Sequence, residues 1–163
     1  MADPTFYRTA REAADAPPER LAYVAPLSTS GSPDGLDVLD VDPASPTYAT
    51  VVGRLDAPNV GDEFHHFGWN ACSSCLVHEE HGHHAGAQRR YLIVPGLRSS
   101  RIYIVDTQPD PRQPRIVKTI EADELAAKTG YIRLHAALGV PDGIYTRALG
   151  APDGAGPGGM CLR

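Results

Sequence analysis

The sequence has little positive charge, no long apolar run and few cysteines. Its 163 residues include 15 Lys and Arg against 20 Asp and Glu, which gives a net charge of −5. Nucleic-acid phosphates require a positive surface, so we expect no nucleic-acid partner. A bilayer-spanning helix needs about 18 or more consecutive apolar residues, and the absence of such a run predicts no membrane span.

The N-terminus lacks a basic stretch followed by an apolar one, so no secretory leader is recognisable and we expect a cytoplasmic protein. The cysteines are Cys72, Cys75 and Cys161. Three cysteines do not make a disulfide framework, and thiols in a reducing compartment are more often inert, catalytic or metal-bound.

Glycine and proline are plentiful, at 16 and 15 residues, which indicates many turns. Residues 36–42 alternate apolar and acidic side chains, residues 48–55 are rich in β-branched ones, and the simplest pairing of the two is a hairpin. Further strands are predicted at 91–94, 101–106, 115–120, 144–146 and 160–162, and short helices at 8–19 and 121–128.

An internal repeat is visible. A strand ending in Val41-Asp42, a turn with prolines and an outgoing strand recur about 64 residues later, where the strand ends in Val105-Asp106. Repeats made only of strands are typical of β-propeller blades, although two hairpins can also look alike by chance. We predict an all-β, partial β-propeller with two blades, the start of a third and short helical insertions. Either the last residues pair with an earlier strand, or the chain is the front piece of a longer repeat protein.

The densest group of reactive side chains lies between residues 62 and 75. His65 and His66 precede Cys72-Ser-Ser-Cys75, and the only Trp lies between the pairs. Imidazole and thiolate are ligands that zinc and copper prefer, so the histidines are either metal ligands or hydrogen-bonded core residues. Adjacent residues of an extended strand face opposite sides, so we expect only one of the two to face a given site. The cysteines are buried thiols, a zinc-binding pair, or a redox- or selenium-reactive pair.

The remaining histidines are less informative by themselves. His135 lies alone between apolar residues, which favours a core histidine. The other four lie in a polar, glycine-containing segment that we interpret as a solvated loop rather than a metal-scavenging tract; they are His78, His81, His83 and His84.

Several motifs together resemble the selenium-binding protein family, which includes the copper-dependent methanethiol oxidases. The segments are LDVLDVDPASPTY, PNVGDEFHHFGWNACSSC, YLIVPGLRSSRIYIVD, DPRQPRIVKTIE and GVPDGIYTRALGAPDG, and they extend over almost the whole chain. The resemblance implies a seven-bladed β-propeller, of which residues 1–163 form the N-terminal third or so, with about residues 1–20 as an N-terminal extension.

The resemblance also implies an activity. Methanethiol, oxygen and water would give formaldehyde, hydrogen sulfide and hydrogen peroxide at a copper ion held by histidines. By position, His65, His66 and His135 match metal ligands, while Cys72 and Cys75 match the cysteines of the family's CSSC motif, which we take as catalytic. The family's R-P-H-x-x-H motif has a second histidine where this chain has Leu138.

Ligands expected from later blades have no counterpart here, so we expect the chain alone to be inactive. The alternatives are a non-catalytic carrier that binds selenium or metal through Cys72 and Cys75, and a non-functional remnant. A small thiol is the expected substrate, copper the expected cofactor and selenium a further ligand. Unfinished blades expose apolar flanks, which predicts self-association.

Overall fold

The computed structural model describes residues 7, 9–72, 88–108, 110–140, 143–153 and 156–162. Within these ranges the chain forms three antiparallel β-sheets and two short helices, which agrees with the all-β prediction. Cys75 and the four histidines at positions 78–84 lie outside the described residues. No described helix has the length and apolar character needed to cross a membrane.

The first sheet has the order β1-β2-β3. Its strands are β1 (Leu21–Val24), β2 (Gly35–Asp40) and β3 (Val51–Asp56). Strands β2 and β3 are the predicted hairpin, and a bulge between Val38 and Leu39 interrupts their register. A short helix, α1 (Ala10–Asp15), precedes the sheet within the predicted range, and the Thr9 side chain caps it by accepting from the Glu12 N–H.

The second sheet has the order β4-β5-β6-β7. It consists of β4 (Gly68–Trp69), β5 (Tyr91–Pro95), β6 (Ile102–Asp106) and β7 (Arg115–Ile120). The last three of these are strands that the sequence predicts. Both faces of β5 and β6 are covered, which explains why these segments are nearly continuous apolar runs rather than alternating ones.

The third sheet has the order β10-β9-β8. Its strands are β8 (Ile132–Val140), β9 (Gly143–Gly150) and β10 (Gly159–Leu162), and they follow α2 (Ala122–Thr129). Strand β10 pairs with β9, so the last predicted strand finds an earlier partner. Strand β8 is absent from the sequence-based prediction, because its histidine, small residues and glycine give no clear strand signal.

The internal repeat has a structural basis, but its register differs from the sequence alignment. Asp40 is paired with Leu21 at the end of β2, and Asp106 is paired with Tyr91 at the end of β6. Each carboxylate accepts the backbone N–H two residues on, from Asp42 and Gln108 respectively. Asp40, and not Asp42, is therefore the equivalent of Asp106.

The middle sheet carries two hydrophobic clusters because side chains alternate along its strands. Leu92 and Val94 of β5 pack with Leu36 of the first sheet. Ile93, between them, packs on the other side with Leu134 and Ala148 of the third sheet. The three sheets therefore pack face to face in chain order.

Candidate metal centre

Three imidazoles meet where the second and third sheets approach each other. The side chains of His65, His66 and His135 form a triangle with ring centroids 4.4, 4.6 and 4.6 Å apart. One nitrogen of each ring lies within 4.8 Å of the other two. Two nitrogens bound to one zinc or copper ion at about 2.0–2.1 Å lie at most about 4.2 Å apart, so a small closure of the rings would make a ligand set.

A turn in the backbone places both adjacent histidines on the same side. His66 has φ of 28°, in the left-handed region, and Glu63 has φ of 55°. The segment is therefore not an extended strand, and the expectation that only one histidine of the pair faces the site is wrong. Left-handed backbone at a residue other than glycine costs about 1–3 kcal/mol and persists only where neighbouring contacts enforce it.

Strand β8 brings His135 to the pair through close backbone contacts with β4. The Ala137 N–H donates to the His66 carbonyl oxygen at 3.1 Å. A Cβ at Gly68 would lie 2.7 Å from the Ala137 oxygen, and one at Gly139 would lie 2.6 Å from the Trp69 oxygen. Only glycine permits this approach, and His135 is therefore not the isolated core histidine that its neighbours in sequence suggest.

The surroundings of His135 favour its neutral imidazole, which is the form that binds a metal. Burial lowers the pKa of His135 below its usual 6.5, and repulsion from His65, His66 and Arg147 lowers it further. Nδ1 of His65 is buried without a hydrogen-bond partner among the described residues. An unsatisfied buried nitrogen costs about 1–3 kcal/mol, and a metal ion is one partner that would satisfy it.

The other predicted site residues lie apart from this cluster or cannot be placed. Cys72 is half-buried, but the metal-competent group among the described residues contains the three histidines alone. Cys75 is outside the described ranges. Leu138, at the position of the expected second histidine, is 62% exposed on β8.

A cavity of about 710 Å³ lies between the first and second sheets. Tyr23 and Trp69 meet edge to face in its wall at 5.8 Å, and the Arg89 guanidinium stacks on the Trp69 ring at 5.1 Å. Phe67, next to His66 in the chain, also lines it, but no described histidine does. This cavity is therefore distinct from the imidazole cluster.

The structure defines a protein of antiparallel β-sheets in which the segment before β4 and strand β8 together hold a histidine cluster suited to a transition metal. The family model described as 56kDa selenium binding protein (SBP56) matches residues 1–163. The chain belongs to this family, and the resemblance seen in its motifs is confirmed.

Similar proteins extend well beyond this chain. Selenium-binding protein 2 of Arabidopsis thaliana is 45% identical over 156 residues, which are 93% of this chain and 31% of that protein. Methanethiol oxidase of Xenopus laevis is 44% identical over 161 residues, covering 96% and 33% respectively. An X-ray structure of a hypothetical selenium-binding protein from Sulfolobus tokodaii superposes with a TM-score of 0.92 at 50% identity and covers 98% of this chain and 35% of that chain. The chain spans about a third of the length of these relatives.

Proposed function

We propose that this chain is the copper-binding N-terminal part of a β-propeller that oxidises a small thiol, methanethiol in the first instance. The observation that carries the proposal is the convergence of His65, His66 and His135, with one nitrogen of each within 4.8 Å of the others. A relative of similar sequence bears the name methanethiol oxidase. The three stacked sheets are, in this proposal, two blades and part of a third, and about the first 20 residues are an extension.

The donor set fits copper. Neutral imidazole is a good ligand for copper as well as for zinc, and three protein ligands leave positions open for a substrate or water. Nδ1 of His65, which has no hydrogen-bond partner among the described residues, is an independent observation in favour of a bound metal. A copper ion held there would supply the electron transfer that links oxidation of a thiol to reduction of dioxygen.

The residues of this chain have separate tasks in the proposal. His65 and His135 are half-buried, whereas His66 is exposed. In this proposal the exposed side at His66 is where a small thiol reaches the metal. The lowered pKa of His135 keeps its ring neutral at physiological pH and its lone pair available. Cys72 and Cys75 are the thiols that we assign to the reaction by family resemblance.

We expect little or no turnover from the chain alone, since the relatives extend over about three times its length. The assay uses the purified chain with Cu(II) and methanethiol and measures hydrogen sulfide and hydrogen peroxide. A full-length relative serves as the positive control. Turnover at a rate comparable with that relative would contradict the expectation, and His135→Gln would then show whether the cluster is responsible.

A second candidate is a non-catalytic carrier of selenium or metal. The name selenium-binding protein, which several relatives bear, favours it. Mass spectrometry after exposure to selenite should then show a gain of selenium that is lost in the double variant Cys72→Ser, Cys75→Ser. A non-functional remnant would show neither selenium uptake nor copper binding.

A further inference from the structure

The segment that carries the histidine pair needs external restraints. Gly61, Glu63 and His66 all have positive φ, at 78°, 55° and 28°. Two of these are not glycine, so the segment does not hold this shape through its own preferences. The contacts that enforce it decide where the two imidazoles lie.

Hydrogen bonds to the backbone groups of the segment tether it on both sides. The Glu63 N–H donates to a carboxylate oxygen of Asp34 at 2.7 Å, and the His65 N–H donates to the Pro95 carbonyl at 3.0 Å. The Leu97 N–H donates to the Glu63 carbonyl at 2.9 Å. These bonds fix the path of the chain next to β5, and so does the residue before Glu63, whose carbonyl oxygen accepts from the Arg98 N–H at 3.2 Å.

That residue is Asp62, whose carboxylate is fully buried. It accepts a hydrogen bond from the Tyr103 hydroxyl at 2.8 Å and lies 3.4 Å from the Arg101 guanidinium. Burial and the bond to Asp62 raise the pKa of Tyr103 to about 12, so the phenol remains a donor. The Tyr103 oxygen in turn accepts from the Asn59 side chain at 3.2 Å.

Tyr103 also contacts the segment through its ring. It is fully buried as the second residue of β6, and its ring lies 5.3 Å from that of Phe64, the residue directly before His65. A buried charged group is weak support for stability, because its desolvation offsets much of the gain. The proposed chemistry does not use the Asp62 carboxylate, which leaves a positioning role for it.

We propose that Asp62 and Tyr103 are positioning residues that hold Glu63 to His66 in the shape that points both imidazoles at one metal ion. The inference rests on the proposed metal site, but the positioning itself concerns the protein without metal. Removal of a residue that orients metal ligands without binding the metal itself typically lowers metal affinity by roughly 10–100-fold. We expect Tyr103→Phe to weaken Cu(II) binding by roughly tenfold or more.

The test compares Tyr103→Phe with two control variants. Tyr91→Phe makes the same chemical change on the neighbouring strand β5, outside the Asp62 network. Asp106→Asn removes a different buried carboxylate from β6, the strand that carries Tyr103. Circular dichroism and thermal melting establish that all three variants are folded and measure how much stability each has lost.

Three measurements are made on each variant. They are the Cu(II) dissociation constant by competition with a chelator, the copper hyperfine splitting by electron paramagnetic resonance, and, without metal, the exchange rate of the His65 amide by NMR. We expect only Tyr103→Phe to weaken Cu(II) binding, alter the copper hyperfine splitting and speed exchange of the His65 amide. If Asp106→Asn, at equal loss of stability, gives the same changes, the effect is general destabilisation and the proposal is overturned.

The outcomes separate this inference from the proposed function. Copper binding by the unmodified chain, together with unchanged affinity, splitting and exchange in Tyr103→Phe, overturns the positioning role and leaves the metal site intact. Failure of the unmodified chain to bind copper overturns the proposed function. The metal-free exchange rate still decides the inference in that case, because faster exchange of His65 in Tyr103→Phe supports positioning and an unchanged rate overturns it.

Discussion

The backbone N–H of Ala137 donates a hydrogen bond to the carbonyl oxygen of His66 at 3.1 Å. This bond joins β8, in the third sheet, to the segment that leads into β4 of the second sheet. His135 lies two residues before Ala137, so the same contact that joins the sheets also sets the distance between the histidines. The candidate metal centre is therefore a product of sheet packing as well as of the local motif.

The first prediction concerns Gly139. A methyl group there would lie 2.6 Å from the Trp69 oxygen and 3.1 Å from the Ala71 nitrogen, so Gly139→Ala must push β8 away from β4. Overpacking of this kind costs about 1–3 kcal/mol of unfolding free energy. We expect weaker Cu(II) binding as well, because the displacement moves His135 from the pair. Denaturant unfolding and a chelator-competition titration measure the two effects.

Gly150→Ala is the matched control for this prediction. Gly150 is in the same sheet, and a Cβ there meets nothing closer than 3.9 Å. It should leave both stability and copper affinity nearly unchanged. Equal copper affinity in Gly139→Ala and Gly150→Ala would show that the approach of β8 to β4 does not govern the site.

The β-strand content could be predicted from sequence because alternating and continuous apolar runs are local signals. The hairpin of β2 and β3 and the strands β5, β6 and β7 are confirmed on that basis. Strand β8 could not be predicted, since small residues at its contact with β4 carry no periodic pattern. Its place is decided by tertiary packing at Gly68 and Gly139.

The composition of the histidine cluster could be predicted from the sequence, but its geometry could not. The neighbours of His65 and His66 indicate that pair, and the family motif indicates His135. The two histidines point the same way because the backbone of His66 is left-handed. Since His66 is not glycine, its residue type does not indicate this conformation. The hydrogen bonds that Asp34 and Tyr103 make with Glu63 and Asp62 join residues far apart in the chain, so no local signal in the sequence indicates them.

The second prediction concerns the pH dependence of stability. Arg90 donates two hydrogen bonds to the Asp106 carboxylate, at 2.9 and 2.7 Å, and lowers its pKa from 3.8 to about 2. Because the pKa of Asp106 is lower in the folded chain than in the unfolded chain, the unfolded chain binds more protons between these two pH values. The stabilisation is therefore complete above the unfolded pKa of about 3.8 and is lost as the pH falls towards about 2.

Asp106→Asn should remove this contribution at neutral pH, at a cost of about 2 kcal/mol, the typical worth of hydrogen bonds to a charged group. Urea unfolding of both proteins from pH 7 to pH 2 measures the difference. The difference should shrink as the pH falls from about 3.8 towards about 2, because protonated Asp106 also loses the ion pair. A constant difference at all pH values would show that the effect is not electrostatic.

The third prediction concerns association. Among the described strands, β10 lies at the edge of its sheet, and Met160 and Leu162 on it are 59% and 48% exposed. Exposed apolar side chains on an unpaired edge favour pairing with another chain. We expect the apparent mass in sedimentation to increase with protein concentration, and the double variant Met160→Lys, Leu162→Lys to reduce this increase. A compact monomer at all concentrations would contradict the expectation.

The most direct test of the metal centre is the Cu(II) dissociation constant of the chain and its histidine variants, measured by chelator competition. We expect one copper site per chain. We also expect His65→Gln, His66→Gln and His135→Gln each to lower the affinity by roughly a hundredfold, at or above the roughly 10–100-fold typical of lost supporting contacts. Wild-type affinity is expected when all four other histidines are replaced by Gln, at positions 78, 81, 83 and 84. Loss of copper in that quadruple variant, with unchanged affinity in the three single variants, would contradict the proposed site.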